Sequence, residues 1–189
     1  MDDRRIRKSK EALKHALLLL LQKTPLNQIR INHLCKLADV NRSTFYNNYA
    51  DIDALFQDVC LDFIASITNR VFEYTQSSKI HPQEAYPIIY DVLTYMREHD
   101  AQFLLLISQP SAKRFEEQLY WYYSEKYRFK NLDCAQRYHF LSLLISSFLS
   151  IHVWMLENYP ISTHEMTQLL INISSDTFHH FEHLLPSQA

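Results

Sequence analysis

Residues 41–49 concentrate side chains that can recognise a nucleic acid. The segment reads Asn-Arg-Ser-Thr-Phe-Tyr-Asn-Asn-Tyr and carries one guanidinium, two hydroxyls, three amides and two phenols. Arginine binds guanine edges or phosphate, asparagine binds adenine or phosphate, and hydroxyls bind phosphate or bases. Such side chains on one short helix are typical of an element that lies in the major groove of DNA.

The neighbouring residues predict the elements that would position this segment. We expect a short helix over 32–37, a turn at 38–40 and a second short helix over 42–48, which is helix-turn-helix spacing. Asp39 tolerates a left-handed backbone where glycine is missing, and Asn41 is predicted to cap the second helix. Asp51 is predicted to cap the long helix that follows, and Ser162 with Glu165 is predicted to form a capping box at the start of the last helix. The residues expected to face inward and lock the two helices together are Leu34, Leu37, Ala38, Val40 and Phe45.

Positive charge is concentrated in the same part of the chain. Residues 1–50 contain ten Lys and Arg against four Asp and Glu, whereas the whole chain has a formal net charge of −2. A basic module ahead of an acidic body predicts a head that binds a polyanion. The residues predicted to contact DNA are Arg4, Arg5, Arg30, Asn32, Asn41, Arg42, Ser43, Thr44, Tyr46, Asn47, Asn48 and Tyr49.

The composition predicts an all-α protein of about nine helices. The 189 residues include no glycine, and 47% are hydrophobic. Without glycine, phosphate-cradling loops and nucleophile elbows are disfavoured, as is a turn-rich all-β fold. No catalytic set can be assembled from the motifs, so we predict neither an enzyme nor a cofactor.

The stretch from Ile29 to Phe56, IRINHLCKLADVNRSTFYNNYADIDALF, resembles the DNA-binding domain of the TetR (tetracycline repressor) family. The resemblance implies a helix-turn-helix domain over residues 1–50. A long fourth helix from residue 51 then connects it to an effector-binding and dimerisation domain over 51–189. The positions that match the family pattern are Ile29, Ile31, Leu34, Ala38, Val40, Arg42, Thr44, Phe45, Tyr46, Tyr49, Asp51 and Leu55.

Several positions depart from the family pattern. Asp39 and Ser43 replace two family glycines, and Asn48 replaces a family His or Tyr. Arg30 stands where the family has a capping threonine, so that cap is weaker or is replaced by a phosphate contact. Ile52 replaces a lysine that commonly meets a phosphate. We therefore expect an altered sequence preference and the loss of one backbone contact at Ile52.

The segment from Trp154 to Met166 is similar to the junction of the last two helices in one branch of the family. That branch includes activators of dihydroxyacetone-kinase genes, and in the family these helices form a four-helix dimer interface. A helix that is apolar on more than one face needs two partners, although a helix buried within a monomer is the alternative. The predicted dimer interface comprises Leu143, Ser147, Ile151, Trp154, Met155, Leu169, Ile173 and Phe178.

Aromatic residues of the middle helices form a second candidate site. The family binds its inducer there, so the resemblance implies an apolar pocket with a few polar handles. A packed aromatic core is the alternative, since a sequence does not distinguish a cavity from a core. The predicted pocket residues are Tyr90, Tyr95, Phe103, Phe115, Tyr122, Phe140 and His152.

The remaining reactive residues predict little chemistry. Three widely spaced cysteines form no disulfide framework and suggest reduced thiols in the cytoplasm. Cys35 and Cys60 are expected in the core, and Cys134 is a mild redox candidate near a helix start. His179 and His183 share a helical face but lack a third fixed ligand, so no metal site is predicted. The apolar stretch from Phe140 to Leu156 is shorter than a membrane span of about 20 residues, which predicts a buried or interface helix.

Together these features predict a cytoplasmic transcriptional regulator that binds a palindromic operator as a homodimer. By resemblance it represses, and an effector in the C-terminal domain releases it. One alternative is a regulator, repressor or activator, that is controlled by a protein partner and has no small-molecule pocket. Another is a helical ligand carrier whose head no longer binds DNA.

Overall fold

The computed structural model describes residues 2–75, 82–108, 113–126 and 133–181, and these residues are helical with short connections. The predicted all-α class and the number of helices are both confirmed within this described part. The nine α-helices are α1 (Asp2–Leu21), α2 (Ile31–Leu37), α3 (Arg42–Asn48), α4 (Ile52–Thr75), α5 (Pro82–Glu98), α6 (Asp100–Ile107), α7 (Lys113–Lys126), α8 (Cys134–Leu156) and α9 (Thr163–Phe181). A single 3-10 turn, Leu26–Gln28, precedes α2.

The chain divides into two compact units, of which the first comprises Met1–Ile64 and Ala101–Leu119. In this unit α1 packs on α2 and α3. Helix α1 buries Leu13 and Leu17 completely, because residues four apart lie on one face of a helix. The first half of α4, helix α6 and the first half of α7 also belong to this unit. The rings of Phe63 and Phe103 stack with centroids 5.5 Å apart.

The turn between α2 and α3 has the conformation that the sequence predicts. Asp39 adopts a left-handed backbone with φ of 53°, and the Val40 amide donates to the Cys35 carbonyl at 3.0 Å. Leu34 and Phe45 are fully buried, as predicted. Leu37 was expected in this core but is 46% exposed. It is the last residue of α2, immediately before the turn that leads to α3.

Two of the three predicted helix caps form. The Ala54 amide donates to Asp51 Oδ1 at 2.7 Å at the start of α4. A capping box opens α9, where the Glu165 amide donates to Ser162 Oγ and the Ser162 amide donates to the Glu165 carboxylate. Asn41 precedes α3 but makes no side-chain capping bond, so that prediction is wrong. Its amide remains exposed to solvent.

The second unit comprises Ala65–Asp100 and Tyr120–Ala189. Here α9 packs against both α5 and α8. The corner between α8 and α9 turns through two consecutive left-handed residues, Asn158 and Tyr159, with φ of 58° and 60°. Each costs roughly 1–2 kcal/mol for a residue with a β-carbon.

Side chains hold that corner in place. Trp154 Nε1 donates to the Ile161 carbonyl at 2.8 Å, and the Tyr159 hydroxyl donates to Asp100 at 2.5 Å. The Arg97 guanidinium lies 4.7 Å from the centre of the Tyr159 ring. These bonds show how a chain without glycine fixes a tight turn.

Candidate nucleic-acid interface

Helix α3 presents three distinct faces. Phe45 and Tyr49 form its buried face, with exposed fractions of 0% and 5%. Arg42 and Tyr46 are one turn apart and share a second face, where the guanidinium lies 5.9 Å from the centre of the phenol ring. Ser43 and Asn47 are each displaced by one residue, or about 100°, and form a third, exposed face.

The face with Arg42 and Tyr46 forms one wall of a cleft in the first unit. The cleft has a volume of about 610 Å³. The loop before α2 and the start of that helix form a second wall with Arg30 and Asn32, and the start of α4 contributes Ile52. Neither Ser43 nor Asn47 lines the cleft. The sequence predicted these residues to contact DNA but did not reveal that Arg30 and Arg42 share a concave surface.

Two arginines and two aspartates supply the charges of this cleft. Arg30 and Arg42 are both exposed, and no carboxylate of the described residues forms an ion pair with either one. Arg30 immediately precedes α2 and makes no side-chain cap. Asp51 and Asp53 also line the cleft, but the Asp51 carboxylate accepts the Ala54 amide. Two guanidinium groups are therefore free to bind a ligand in this concave surface.

The remaining predicted contact residues divide by exposure. Arg4, Arg5 and Asn41 are exposed, whereas Thr44 and Asn48 are half-buried. The Asn48 amide donates to the Thr44 carbonyl at 2.7 Å, so part of its hydrogen-bonding capacity is used within α3.

Tyr49 was predicted to contact DNA, but the structure places it in the interior. Its hydroxyl donates to Asp58 of α4 at 2.7 Å. Burial raises the pKa of the Tyr49 hydroxyl above its ordinary value, and the hydrogen bond to Asp58 raises it further. Tyr49 therefore joins α3 to α4 and is not available to a nucleic acid.

Asp58 lies at the centre of a polar joint, which we define as Tyr49, Asp58, Asp62, Lys10 and Lys14. Lys14 Nζ lies 3.1 Å from Asp58 and 2.6 Å from Asp62, and Lys10 Nζ lies 3.6 Å from Asp58. Burial raises the pKa of Asp58, but the bonds from Tyr49 and Lys14 outweigh burial and lower that pKa overall. Sequence reasoning missed this joint because Lys14 and Asp62 are 48 residues apart.

The structure also separates the two sides of α8. Ile151, Trp154 and Met155 were predicted in a dimer interface but are buried within the chain, with exposed fractions of 8%, 3% and 4%. Leu143 and Ser147 are half-buried. Of the predicted α9 residues, Leu169 and Ile173 are exposed, while the side chain of Phe178 lies outside the described residues. Burial of the first three leaves them no surface for a second subunit.

A different side of α8 is exposed and apolar. Ile145, Leu149, Val153 and Leu156 follow one another at intervals of three or four residues, which is one helical stripe. Their exposed fractions are 62%, 57%, 42% and 63%. We call these four residues the α8 stripe. The sequence showed that α8 is apolar around its circumference, but not which side the rest of the chain covers.

The stretch Arg137–Leu156 is long and apolar enough to cross a membrane by length and composition alone, and little of it is buried within the chain. The prediction that this apolar stretch is too short to span a membrane is therefore wrong, because the stretch begins at Arg137 and not at Phe140. A helix that packs against another protein has the same composition, so this property by itself does not indicate a membrane.

The predicted pocket residues that the structure describes make several aromatic contacts. Tyr90 stacks on Tyr86, with ring centroids 5.8 Å apart. Tyr95 stacks on His99, and the Arg70 guanidinium lies 4.2 Å from the centre of the Tyr95 ring. Phe103 is buried in the first unit. The pocket remains a prediction.

The other four predicted pocket residues lie on α7 and α8. His152 lies beside Phe148, with ring centroids 6.5 Å apart, and Tyr122 is half-buried. The side chains of Phe115 and Phe140 lie outside the described residues.

Cysteine and histidine chemistry is limited in the described part of the chain. Cys35 and Cys60 are buried, as predicted, and burial raises the pKa of the Cys60 thiol to about 12. Cys134 is exposed and accepts a bond from Arg137. Among the described residues no group of three or more His, Cys, Asp or Glu side chains is arranged to hold a metal ion. The side chains of His179 and His183 lie outside that part.

Comparison with known proteins adds evidence on the fold. A solved structure described as a TetR transcriptional regulator from Streptococcus agalactiae 2603V is similar, with a TM-score of 0.59. The two sequences are 20% identical over 90% of this chain and 96% of that one. No protein-family model matches the sequence, and a comparison with curated proteins finds no match. The chain thus has the fold of a TetR regulator over nearly its whole length.

Proposed function

We propose that this protein is a DNA-binding transcriptional regulator. The observation that carries the proposal is the exposed polar surface of α3, which stands beside a cleft containing two unpaired arginines. Helices α2 and α3 have helix-turn-helix geometry, and this part of the chain has an excess of positive charge. An element of this kind places its exposed side chains in the major groove of DNA. The similarity in fold to a TetR regulator supports the same function.

We also propose that the regulator is a homodimer on a palindromic operator. The α8 stripe, together with Leu169 and Ile173, exposes apolar side chains that a second copy would cover. The sequence contains no Asp, Glu, Lys or Arg between Tyr138 and Leu156. Two copies can therefore meet on this face without burying an unpaired charge. A two-fold dimer matches two half-sites in successive major grooves, which explains the expected palindrome.

The proposed regulation is repression that an effector relieves. Helix α4 is continuous from Ile52 to Thr75, and its residues belong to both compact units. A change in the second unit can therefore reach the DNA-binding head through one helix. Release by a small molecule supports an effector in the C-terminal domain. Release by a purified protein partner, with no small-molecule response, supports the alternative regulator instead.

The experiment is a selection of bound sequences from a random duplex library at two salt concentrations. We expect a palindrome to emerge. Affinity should fall steeply between about 50 and 200 mM salt, because the release of counterions from the phosphates on binding is less favourable at high salt. The exposed face of α3 offers Asn47→Ala as the variant that should change the selected sequence. If the full-length protein enriches no sequence and binds no duplex, the proposed function is wrong.

A further inference from the structure

We infer that Arg30 and Arg42 form a clamp on one backbone phosphate, and that Ser43 and Asn47 alone read bases from α3. This inference rests on the proposed function. It assigns phosphate binding to one face of α3 and base recognition to another. An arginine at the start of a recognition helix can bind either guanine or phosphate. The structure distinguishes these two roles for Arg42.

The first argument is the direction of the Arg42 side chain. Its guanidinium lies over the Tyr46 ring at 5.9 Å from the centroid, so it runs along the face that these two residues share. That face lines the cleft. The side chain is therefore held beside the cleft and away from the face with Ser43 and Asn47.

The second argument is that an arginine from another element lines the same cleft. Arg30 comes from the loop before α2, and Arg42 comes from α3. Neither forms an ion pair with a carboxylate of the described residues. Asp51 and Asp53 line the same cleft but form no ion pair with either arginine, so an anion bound between the two guanidinium groups still reduces their mutual repulsion. Guanidinium groups bind phosphate oxygens in a two-pronged geometry, so a phosphodiester satisfies both.

The third argument is the chemistry of the rest of the cleft. Asn32 and Tyr46 offer an amide and a phenol that donate to phosphate oxygens, while Ile52 adds an apolar wall. Asp51 and Asp53 lie on the α4 side and repel a second phosphate there. The clamp thus holds one phosphate on the side of α2 and α3, and α4 contributes no cation to it.

The test measures the affinity of full-length variants for two duplexes of equal length, the selected palindrome and a scrambled sequence. We expect Arg30→Ala and Arg42→Ala each to weaken binding to both duplexes by about tenfold. Each should also reduce the salt dependence by about one phosphate per subunit. The sequence selected from the library should be unchanged. The matched control is Asn47→Ala, which should weaken only the palindrome and alter the selected sequence.

A second measurement locates the phosphate. A series of palindromes carries one neutral methylphosphonate at a time, and we expect one linkage in each half-site to weaken the wild-type protein. Both arginine variants should be insensitive to that same linkage, because the partner charge is already missing. Insensitivity at different linkages would overturn the clamp.

The other outcomes are equally decisive. If Arg42→Ala relaxes the preference at a particular base pair and leaves the scrambled duplex unaffected, Arg42 reads a base and the inference is wrong. If the wild-type protein binds neither duplex, the proposed function itself fails. Binding by the wild-type protein that both arginine substitutions leave unchanged overturns the clamp but not the proposed function.

Discussion

The exposed surfaces of α3 and α8 are opposite in chemistry. Helix α3 exposes a guanidinium, a hydroxyl, a phenol and an amide, whereas α8 exposes the four apolar side chains of its stripe. The two regions also differ inside. The polar joint of hydrogen bonds and ion pairs fixes the head, but the corner after α8 is fixed by Trp154 and Tyr159. A polar surface that carries a cation suits a polyanion, and an apolar surface suits another protein, which is the division of partners proposed above.

The largest expected effect tests the corner after α8. Trp154→Ala removes a large buried ring and its bond to the Ile161 carbonyl. We expect a loss of about 3–5 kcal/mol in the free energy of unfolding, typical of a large aromatic removed from a core. The measurement is urea unfolding followed by circular dichroism.

The second tryptophan provides a matched control. Trp121 of α7 is 63% exposed, so Trp121→Ala should change stability by less than about 0.5 kcal/mol. Equal losses in the two variants would mean that burial of Trp154 does not stabilise the corner.

The next effect tests the outer side of the same helix. Leu149→Asp places a charge in the α8 stripe, and two-fold symmetry places a second one in the partner. We expect the dimer dissociation constant to rise at least about a hundredfold, since unfavourable charge in an interface costs several kcal/mol. Sedimentation equilibrium measures this constant.

Leu19→Asp on α1 is the control, because Leu19 is exposed to a similar extent but lies in the head. It should leave the dimer intact. A wild-type monomer that binds lipid vesicles through α8 would instead assign the stripe to a membrane.

A smaller effect is expected in the head. Asp58→Ala leaves the buried Tyr49 hydroxyl and the Lys14 ammonium without their shared partner. We expect a loss of about 1–3 kcal/mol in unfolding free energy, the usual cost of an unsatisfied buried group. Asp62→Ala removes a more exposed carboxylate from the same lysine and should cost less than about 1 kcal/mol. A larger loss of unfolding free energy for Asp62→Ala than for Asp58→Ala would mean that Asp58 is not the main stabilising carboxylate of the polar joint.

The smallest effect is the pH dependence of the same joint. The pKa of Asp58 is lowered in the folded protein. Its contribution to stability is therefore present above the unfolded pKa of about 3.9 and is lost as pH falls through the folded value. Because the group is partly exposed, we expect less than about 1 kcal/mol. Asp58→Asn should reduce the fall in stability on acidification below about pH 4, measured by thermal unfolding at a series of pH values. An unchanged fall would show that other carboxylates cause it.

Much of the head could be predicted because its determinants are local. Asp39 in the turn and the cap at Asp51 each depend on residues within four positions, and the same is true of the capping box at Ser162 in the second unit. The predicted burial of Phe45 follows from helical periodicity within the same motif. Leu37 shows the limit of this reasoning, because its exposure depends on where the chain turns after α2.

The candidate site could be predicted only in part, since its arrangement depends on distant residues. Their chemical types alone predict that Arg42, Ser43, Tyr46 and Asn47 contact DNA, and all four are exposed. The burial of Tyr49 was missed because its partner Asp58 lies on another helix. The cleft that joins Arg30 to Arg42 also needs the loop and α3 to be folded together.

By itself the sequence determined that the protein is all-helical, with a basic helix-turn-helix at one end and an apolar helix near the other. Composition, helical periodicity and short-range capping decide these features. Only the tertiary structure decided which side of each helix is covered. Trp154 is buried while its neighbour Val153 is exposed, and α8 is apolar at both positions. Coverage depends on packing between residues far apart in the chain, which no local pattern records.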